Sequence, residues 1–346
     1  MRHGWLSPLG ALWGQIARGR HALYDRGWMR STSFDRALVA VGNLTVGGTG
    51  KTPHVEYLIR ALQPHYRVAV VSRGYGRRTK GFRLTTAADN AATVGDEPLQ
   101  IYQKFNGEVP VAVAEERAVA IPNLLADYPE VQVILLDDAL QHRAIRPDVR
   151  LLLTDFNRPF YQDYPLPAGR LREFPTEARR ADACLMTKCP PALSRSQQTA
   201  LESELRAFVA PDAPVHFTTL SYGTPVPLLA NGLPLGRRVV LCSGLAQPAP
   251  LRAYAQEQWD VVAEETFRDH HRYTPRDLRR LADLARSLRA SLLSTEKDAV
   301  KWQDEALKSL LIEVPVYCLP IEPRFVSNEG DFLAWLRRRI DQKLGN

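Results

Sequence analysis

The stretch Ala37-Leu-Val-Ala-Val-Gly-Asn-Leu-Thr-Val-Gly-Gly-Thr-Gly-Lys-Thr52 decides the fold. An apolar run, Ala37 to Val41, leads into a glycine-rich turn. Gly50-Lys51-Thr52 follows, and Pro53 opens a helix, a position where proline is tolerated. Strand, glycine-rich loop and helix, in that order, make a phosphate-binding loop. Glycines let backbone N–H groups curl around phosphate oxygens, and the helix N-terminus adds positive dipole. Gly47, Gly48, Thr49 and Gly50 are the expected cradle. Lys51 is expected to reach the β- and γ-phosphates and the Thr52 hydroxyl to ligate Mg²⁺. The general pattern wants a glycine where this chain has Thr45, so Gly47 and Gly48 are read as supplying the flexibility.

Downstream, short apolar runs alternate with helical stretches. Strands are predicted at Leu38–Val41, Val68–Val71, Val111–Val113, Val131–Leu136, Leu151–Leu153 and Cys184–Met186, with helices such as Val55–Leu62 and Glu115–Leu125 between them. That pattern predicts an α/β fold of the P-loop NTPase type, a mostly parallel sheet flanked by helices on both faces. A Pro/Gly-rich stretch then reads as a linker over 214–237. Beyond it, Val239–Cys242, Val261–Ala263, Ser291–Ser294 and Val316–Leu319 predict a second, smaller α/β unit. The expected boundaries are 31–213 for the P-loop unit and 238–346 for the smaller one.

Residues 1–30 stand apart. Ser7-Pro8 starts a helical pattern in which Leu9, Leu12, Trp13, Ile16 and Leu23 recur, with Trp5, Tyr24 and Trp28 at its ends. Arg2, Arg18, Arg20, Arg26 and Arg30 oppose the single Asp25. A basic amphipathic helix with Trp on its apolar face marks a membrane-interface segment. An apolar stripe packed on the helix's own domain satisfies the same pattern.

Composition bounds the rest. A chain of 346 residues has room for about two domains, and 45 Lys+Arg against 38 Asp+Glu leave a net charge of +7. A basic balance points to anionic partners. The cysteines Cys184, Cys189, Cys242 and Cys318 show no metal-type spacing and read as reduced, mostly buried thiols. No apolar run is long enough to span a bilayer, and Gln15, Arg18 and Arg20 interrupt any signal-peptide core.

Other motifs carry charge to strand ends. Val131-Gln-Val-Ile-Leu-Leu-Asp137-Asp138 is an apolar strand closed by two carboxylates, where a Walker-B aspartate is placed by the metal. Gln141-His142-Arg143 follows directly. Gly95-Asp96-Glu97-Pro98 puts acids at a helix start, where the dipole favours them. Arg268-Asp269-His270-His271 looks metallic, yet adjacent side chains diverge, so one histidine as a proton-handling partner is the better reading. Leu166-Pro-Ala-Gly-Arg-Leu-Arg-Glu173 offers Arg170 and Arg172 for bidentate phosphate contact, and Ser72-Arg-Gly-Tyr-Gly-Arg77 is another Gly/Arg loop. As single motifs these two read first as solvated basic turns. Thr295-Glu-Lys-Asp298 has the spacing of a capping box.

Together these motifs resemble the tetraacyldisaccharide 4'-kinase family. The stretch from Val41 to Pro53, Ser72 to Arg77, Gly95 to Pro98, Asp137 to Arg143, Leu166 to Glu173, Asp269 to His271 and Thr295 to Lys301 run in family order across nearly the whole chain. Thr45 is itself family-like. Ala139-Leu140, where the family has Gly-Phe, and Arg170, where it has Pro, are departures expected to alter fit rather than reaction.

The resemblance implies transfer of the ATP γ-phosphate to the 4'-hydroxyl of an acylated disaccharide 1-phosphate. It implies two α/β domains with ATP near their cleft, Asp96 as base, His270 as its partner, and Arg172 as a phosphate contact. Lys51, Thr52 and one or both of Asp137 and Asp138 would serve ATP and Mg²⁺. The implied partners are the lipid substrate and an anionic membrane surface, with no nucleic acid. The implied location is peripheral, at the cytoplasmic face of a bacterial inner membrane. The rival reading is a nucleotide switch or metallochaperone-type GTPase, since Thr295-Glu-Lys-Asp298 faintly resembles a guanine-reading motif.

Overall fold

The structure, a computed structural model, describes residues 6–345; Arg2 and Trp5 of the N-terminal motif lie outside the described residues. Two sheets organise the chain. The larger has nine strands in the spatial order Ile321–Phe325, Val215–Tyr222, Ala183–Thr187, Val149–Asp155, Ala37–Asn43, Val133–Asp137, Val68–Ser72, Val111–Val113 and Arg83–Leu84. Both edge strands run antiparallel, and every pairing between them is parallel. The strand Ala37–Asn43 is buried along its whole length, because helices cover both of its faces. Val39 and Val41 pack with Val55, Leu58 and Ile59 of the helix Lys51–Leu62. Leu38 and Ala40 pack with Ile121 and Leu124 of the helix Arg117–Asp127. Such two-sided burial is why these strands read as continuous apolar runs rather than alternating ones.

The smaller sheet has five strands, in the order Asp260–Thr266, Arg238–Ser243, Ser291–Thr295, Val316–Leu319 and Val226–Pro227. Its boundaries differ from those expected. Val215–Tyr222, inside the stretch read as linker, is a strand of the large sheet, and its outer side is closed by Ile321–Phe325. The last helix, Glu329–Leu344, also returns to the large sheet, burying Phe332, Leu336 and Ile340 in the same core as Val39. A free strand edge needs a partner, and here it comes from beyond the smaller unit.

The two units are tied at the helix Asp96–Lys104. Leu99 packs beside Val300. Lys104 Nζ lies 2.7 Å from carboxylate oxygens of both Glu56, in the large unit, and Glu296, in the small one. No disulfide forms; Cys184, Cys189 and Cys242 are buried thiols and Cys318 is partly buried. No helix among the described residues is long and apolar enough to cross a membrane.

Candidate active site

The phosphate loop follows the central strand. Gly50, with φ at +83°, is the N-cap of the helix Lys51–Leu62, a left-handed conformation that favours glycine. Open space lies beside Gly47 and Gly48. Thr49 is turned inward: it is buried, its hydroxyl accepts from Asn43 Nδ2 at 2.8 Å, and its carbonyl accepts from Thr187 Oγ1 at 2.9 Å. It shapes the loop from within. Thr45 explains itself here. It forms an antiparallel bridge with Leu171. On either side the Val46 N–H donates to the Arg170 carbonyl at 2.7 Å, and the Arg172 N–H to Leu44 at 2.8 Å. An extended, paired residue has no need of glycine.

At the end of the neighbouring strand the two aspartates diverge. Asp138, with φ at +46°, turns its carboxylate toward cations: Arg172 Nη1 at 3.0 Å and Lys51 Nζ at 3.7 Å. Burial raises the Asp138 carboxyl, but Lys51 and Arg172 outweigh it and hold it below the ordinary carboxylate range. Asp137 is fully enclosed. One oxygen accepts from Ser72 Oγ at 3.1 Å, and the other has no partner among the described residues. Burial, with the Glu97 and Asp138 charges, pushes it up to about 7. A buried carboxylate oxygen without a donor, at the end of the strand next to the one that leads into the phosphate loop, suits a hard divalent cation. Arg117, itself buried, braces this corner by donating to the carbonyls of Asp137 and Asp138.

Next to them lies His142. Burial, with Arg117, Arg20 and Arg73 nearby, lowers it to about 4, and its buried Nε2 has no partner among the described residues. A neutral imidazole edge of this kind suits a hydrogen bond to a ligand.

The second half of the site comes from the smaller unit. Asp96 and His270 are 174 positions apart in sequence, yet Asp96 Oδ2 and His270 Nδ1 are 3.2 Å apart. Lys297 Nζ is 3.3 Å from His270 Nε2. An ammonium only donates, so Nε2 is the acceptor and Nδ1 carries the proton given to Asp96. Lys301 Nζ adds charge 3.5 Å from the same Asp96 oxygen. Burial raises the Asp96 carboxyl, but the His270 hydrogen bond and Lys301 overcome it and leave it below the ordinary range. His270 has φ at +57°, which separates it from His271. The latter pairs with Asp277 at 3.2 Å and stacks near Phe267, a packing role.

Three features of this region went unread in the sequence. Tyr75, 68% exposed, leans on the His270 ring at 5.2 Å, which marks the Ser72–Arg77 loop as a wall of the site. Lys188 has no motif signal, yet its ammonium reaches the Gly48 carbonyl of the phosphate loop. It also lies 2.7 Å from Asp155 and 3.2 Å from Gln247 of the smaller unit. Thr295-Glu-Lys-Asp298 does cap its helix, and it also delivers Lys297 and Lys301 to the dyad. Asp298 is fully buried and held by Thr295 Oγ1, the Gly244 N–H and Lys301. A carboxylate so engaged cannot read a guanine, which removes the feature on which the GTPase reading rested.

Comparisons with known proteins agree with this geometry. The profile of the family described as Tetraacyldisaccharide-1-P 4'-kinase matches residues 2–341. The tetraacyldisaccharide 4'-kinase of Cytophaga hutchinsonii is 39% identical over 98% of this chain and 96% of its own length. That of Bacteroides thetaiotaomicron is 37% identical over 95% of this chain and 90% of its own. Among solved structures, LpxK from Aquifex aeolicus in complex with ATP superposes with a TM-score of 0.76 at 27% identity, covering 98% of this chain and 100% of that one. By the match along nearly its whole length, this chain belongs to the tetraacyldisaccharide-1-P 4'-kinase family.

Proposed function

We propose that this chain transfers the γ-phosphate of ATP to the 4'-hydroxyl of a tetraacyldisaccharide 1-phosphate, a step of lipid A biosynthesis, with Asp96 as the group that takes the hydroxyl proton. The observation that carries the assignment of Asp96 is its contact with His270 across the two units. A sugar hydroxyl attacks only when its proton has an acceptor. The surrounding cations keep Asp96 ionised at neutral pH, and the His270 N–H fixes which oxygen is free. Lys51 and Arg172 bring positive charge to the transferring group, whose loose transition state is stabilised mainly by positioning and charge neutralisation. Thr52, Asp137 and Asp138 would hold Mg²⁺. That ion, when bound, neutralises charge between the β- and γ-phosphates.

The substrate's acyl chains require a membrane surface, and the first helix, Ser7–Asp25, supports one. Leu9, Leu12, Trp13 and Ile16 recur on one face and are 53%, 58%, 49% and 62% exposed. The protein-facing side holds Gly10, Gly14, His21 and Tyr24 instead, about 100° around the axis. Of the two readings the sequence left open, this exposure favours the interfacial one. Leu9, Leu12 and Ile16 face away from the protein with Arg20 on the same side, while Trp13, at the stripe's edge, keeps its indole N–H on the Arg172 carbonyl and Arg18 turns to Thr176 and Phe174. Apolar insertion with an adjacent arginine suits the anionic cytoplasmic leaflet of an inner membrane.

The test is direct. The purified chain is incubated with γ-labelled ATP, Mg²⁺ and the disaccharide 1-phosphate lipid in mixed micelles, and the product is located by phosphorus NMR. A new phosphomonoester at the 4' position is expected, absent with Asp96→Asn. Hydrolysis of nucleotide without a phosphorylated lipid, or a preference for GTP, would refute the assignment.

A further inference from the structure

The first helix packs mainly against residues 165–174, with Asp25 also paired to Arg143, and residues 170–172 of that segment bridge to the chain leading into the phosphate loop. The helix approaches as closely as glycine permits. A side chain at Gly10 would meet the Pro165 carbonyl oxygen, and one at Gly14 would run into the Phe174 ring. Trp13 Nε1 donates to the Arg172 carbonyl at 3.0 Å. His21 Nε2 donates to Glu173 Oε1 at 2.7 Å, with both side chains almost fully buried. The trio His21, Glu173 and Glu177 brings ligand-type atoms within 4.8 Å of one another. The Arg180 guanidinium already pairs with both carboxylates, so the trio is an ion-pair clamp rather than a metal site.

Opposite the clamp, Arg170, Leu171 and Arg172 bridge to Leu44, Thr45 and Val46, and the Arg172 guanidinium reaches Asp138. Residues 170–173 are thus held between the outward-facing helix and the ATP site. We propose that Trp13 and His21 are positioning residues for phosphoryl transfer. Through the backbone of Arg172 and the side chain of Glu173, they fix where the Arg172 guanidinium and the first turn of the phosphate loop stand. The membrane helix is then part of the catalytic scaffold and not a detachable anchor. Placement matters because a misplacement of about 1 Å can cost about 10²-fold in rate. The inference deepens the reading of residues 7–25 as a membrane helix and rests on it only for the helix's outward face. Deleting residues 1–30 removes both roles at once, so point variants must separate them.

Trp13→Phe keeps an apolar ring toward the bilayer and removes the N–H donor. His21→Ala removes the buried donor, and His21→Gln restores a side-chain N–H. Leu12→Glu with Ile16→Glu alters the outward face alone. For each variant, kcat and KM for ATP are measured on detergent-dispersed lipid substrate, co-sedimentation with anionic vesicles is measured separately, and folding is checked by thermal unfolding. Trp13→Phe is expected to lower kcat about threefold and His21→Ala about tenfold, with vesicle binding retained and His21→Gln recovering most of the loss. The Leu12→Glu, Ile16→Glu variant should lose vesicle binding while keeping kcat on dispersed substrate. Folded Trp13→Phe and His21→Ala proteins with wild-type kcat would overturn the positioning role. Vesicle binding retained by the Leu12→Glu, Ile16→Glu variant would overturn the membrane reading and leave the positioning role standing.

Discussion

Replacing His270 by alanine tests how the two units share the chemistry. The substitution removes one hydrogen bond to an ionised carboxylate, 3.2 Å long. Such bonds contribute about 1.5–3 kcal/mol. The His270 side chain is 32% exposed, so solvent screening places its worth at the lower end, about 1.5 kcal/mol. That corresponds to about tenfold in kcat. Asp96→Asn removes the proton acceptor itself, and a general base is worth about 10²–10⁴-fold. His270 touches Asp96 and acts through it. The double variant should therefore be no slower than Asp96→Asn alone, where independent action would multiply the two losses. The assay is kcat at saturating ATP and lipid, with ATP affinity titrated separately and expected to stay unchanged. His271→Ala should spare kcat and cost stability, since that ring is engaged by Asp277 and Phe267. Multiplicative losses in the double variant, or a greater loss of kcat at His271 than at His270, would refute the dyad.

Lys51→Ala should lower turnover at least about 10²-fold, the scale of a lost transition-state charge contact; a folded variant with near-normal rate would remove Lys51 from the chemistry. Asp137, pushed up to about 7, must lose its proton to bind a cation, so Mg²⁺ affinity should rise with pH through about 7. Titration calorimetry of wild type and Asp137→Asn checks this, and an unchanged pH dependence in the variant would move the metal elsewhere. Glu56, fully buried, is pushed up to about 7 by burial, with Glu296 adding to it against the pull of Lys104. A carboxyl raised in the folded state contributes stability that is full below its unfolded value and lost as pH rises through about 7. Urea unfolding should therefore show stability from this group declining between about pH 5 and pH 8, a slope that Glu56→Gln should flatten.

Much of this was legible because it is local. A strand covered on both faces is apolar throughout, so Ala37–Val41 and Val133–Leu136 announce a parallel sheet. The phosphate loop needs its glycines, Lys51 and Thr52 contiguous, because one turn of backbone must wrap one phosphate. Asp137 and Asp138 follow from their place at a strand end. What linear order leaves undecided is which surface meets which. The stripe Leu9, Leu12, Trp13 and Ile16 has the same periodicity whether it faces a core or a bilayer, and only the seating of Gly10 and Gly14 on residues 165–174 turned it outward. The outer partner of the strand Val215–Tyr222 lies about a hundred residues on, beyond the smaller unit. Lys188 carries no pattern of its own; its three acceptors come from the phosphate loop, a neighbouring strand and the other unit. The sequence by itself determined the sheet and the phosphate loop, because backbone geometry and phosphate chemistry restrict residues at short spacing, and the ordered run of motifs that resembles the kinase family supplied the reaction type. The Asp96–His270 contact, the linkage of the first helix to Arg172 and the burial of Asp298 were decided only by tertiary structure, because each depends on packing between segments that hydrophobic burial, not chain proximity, brings together.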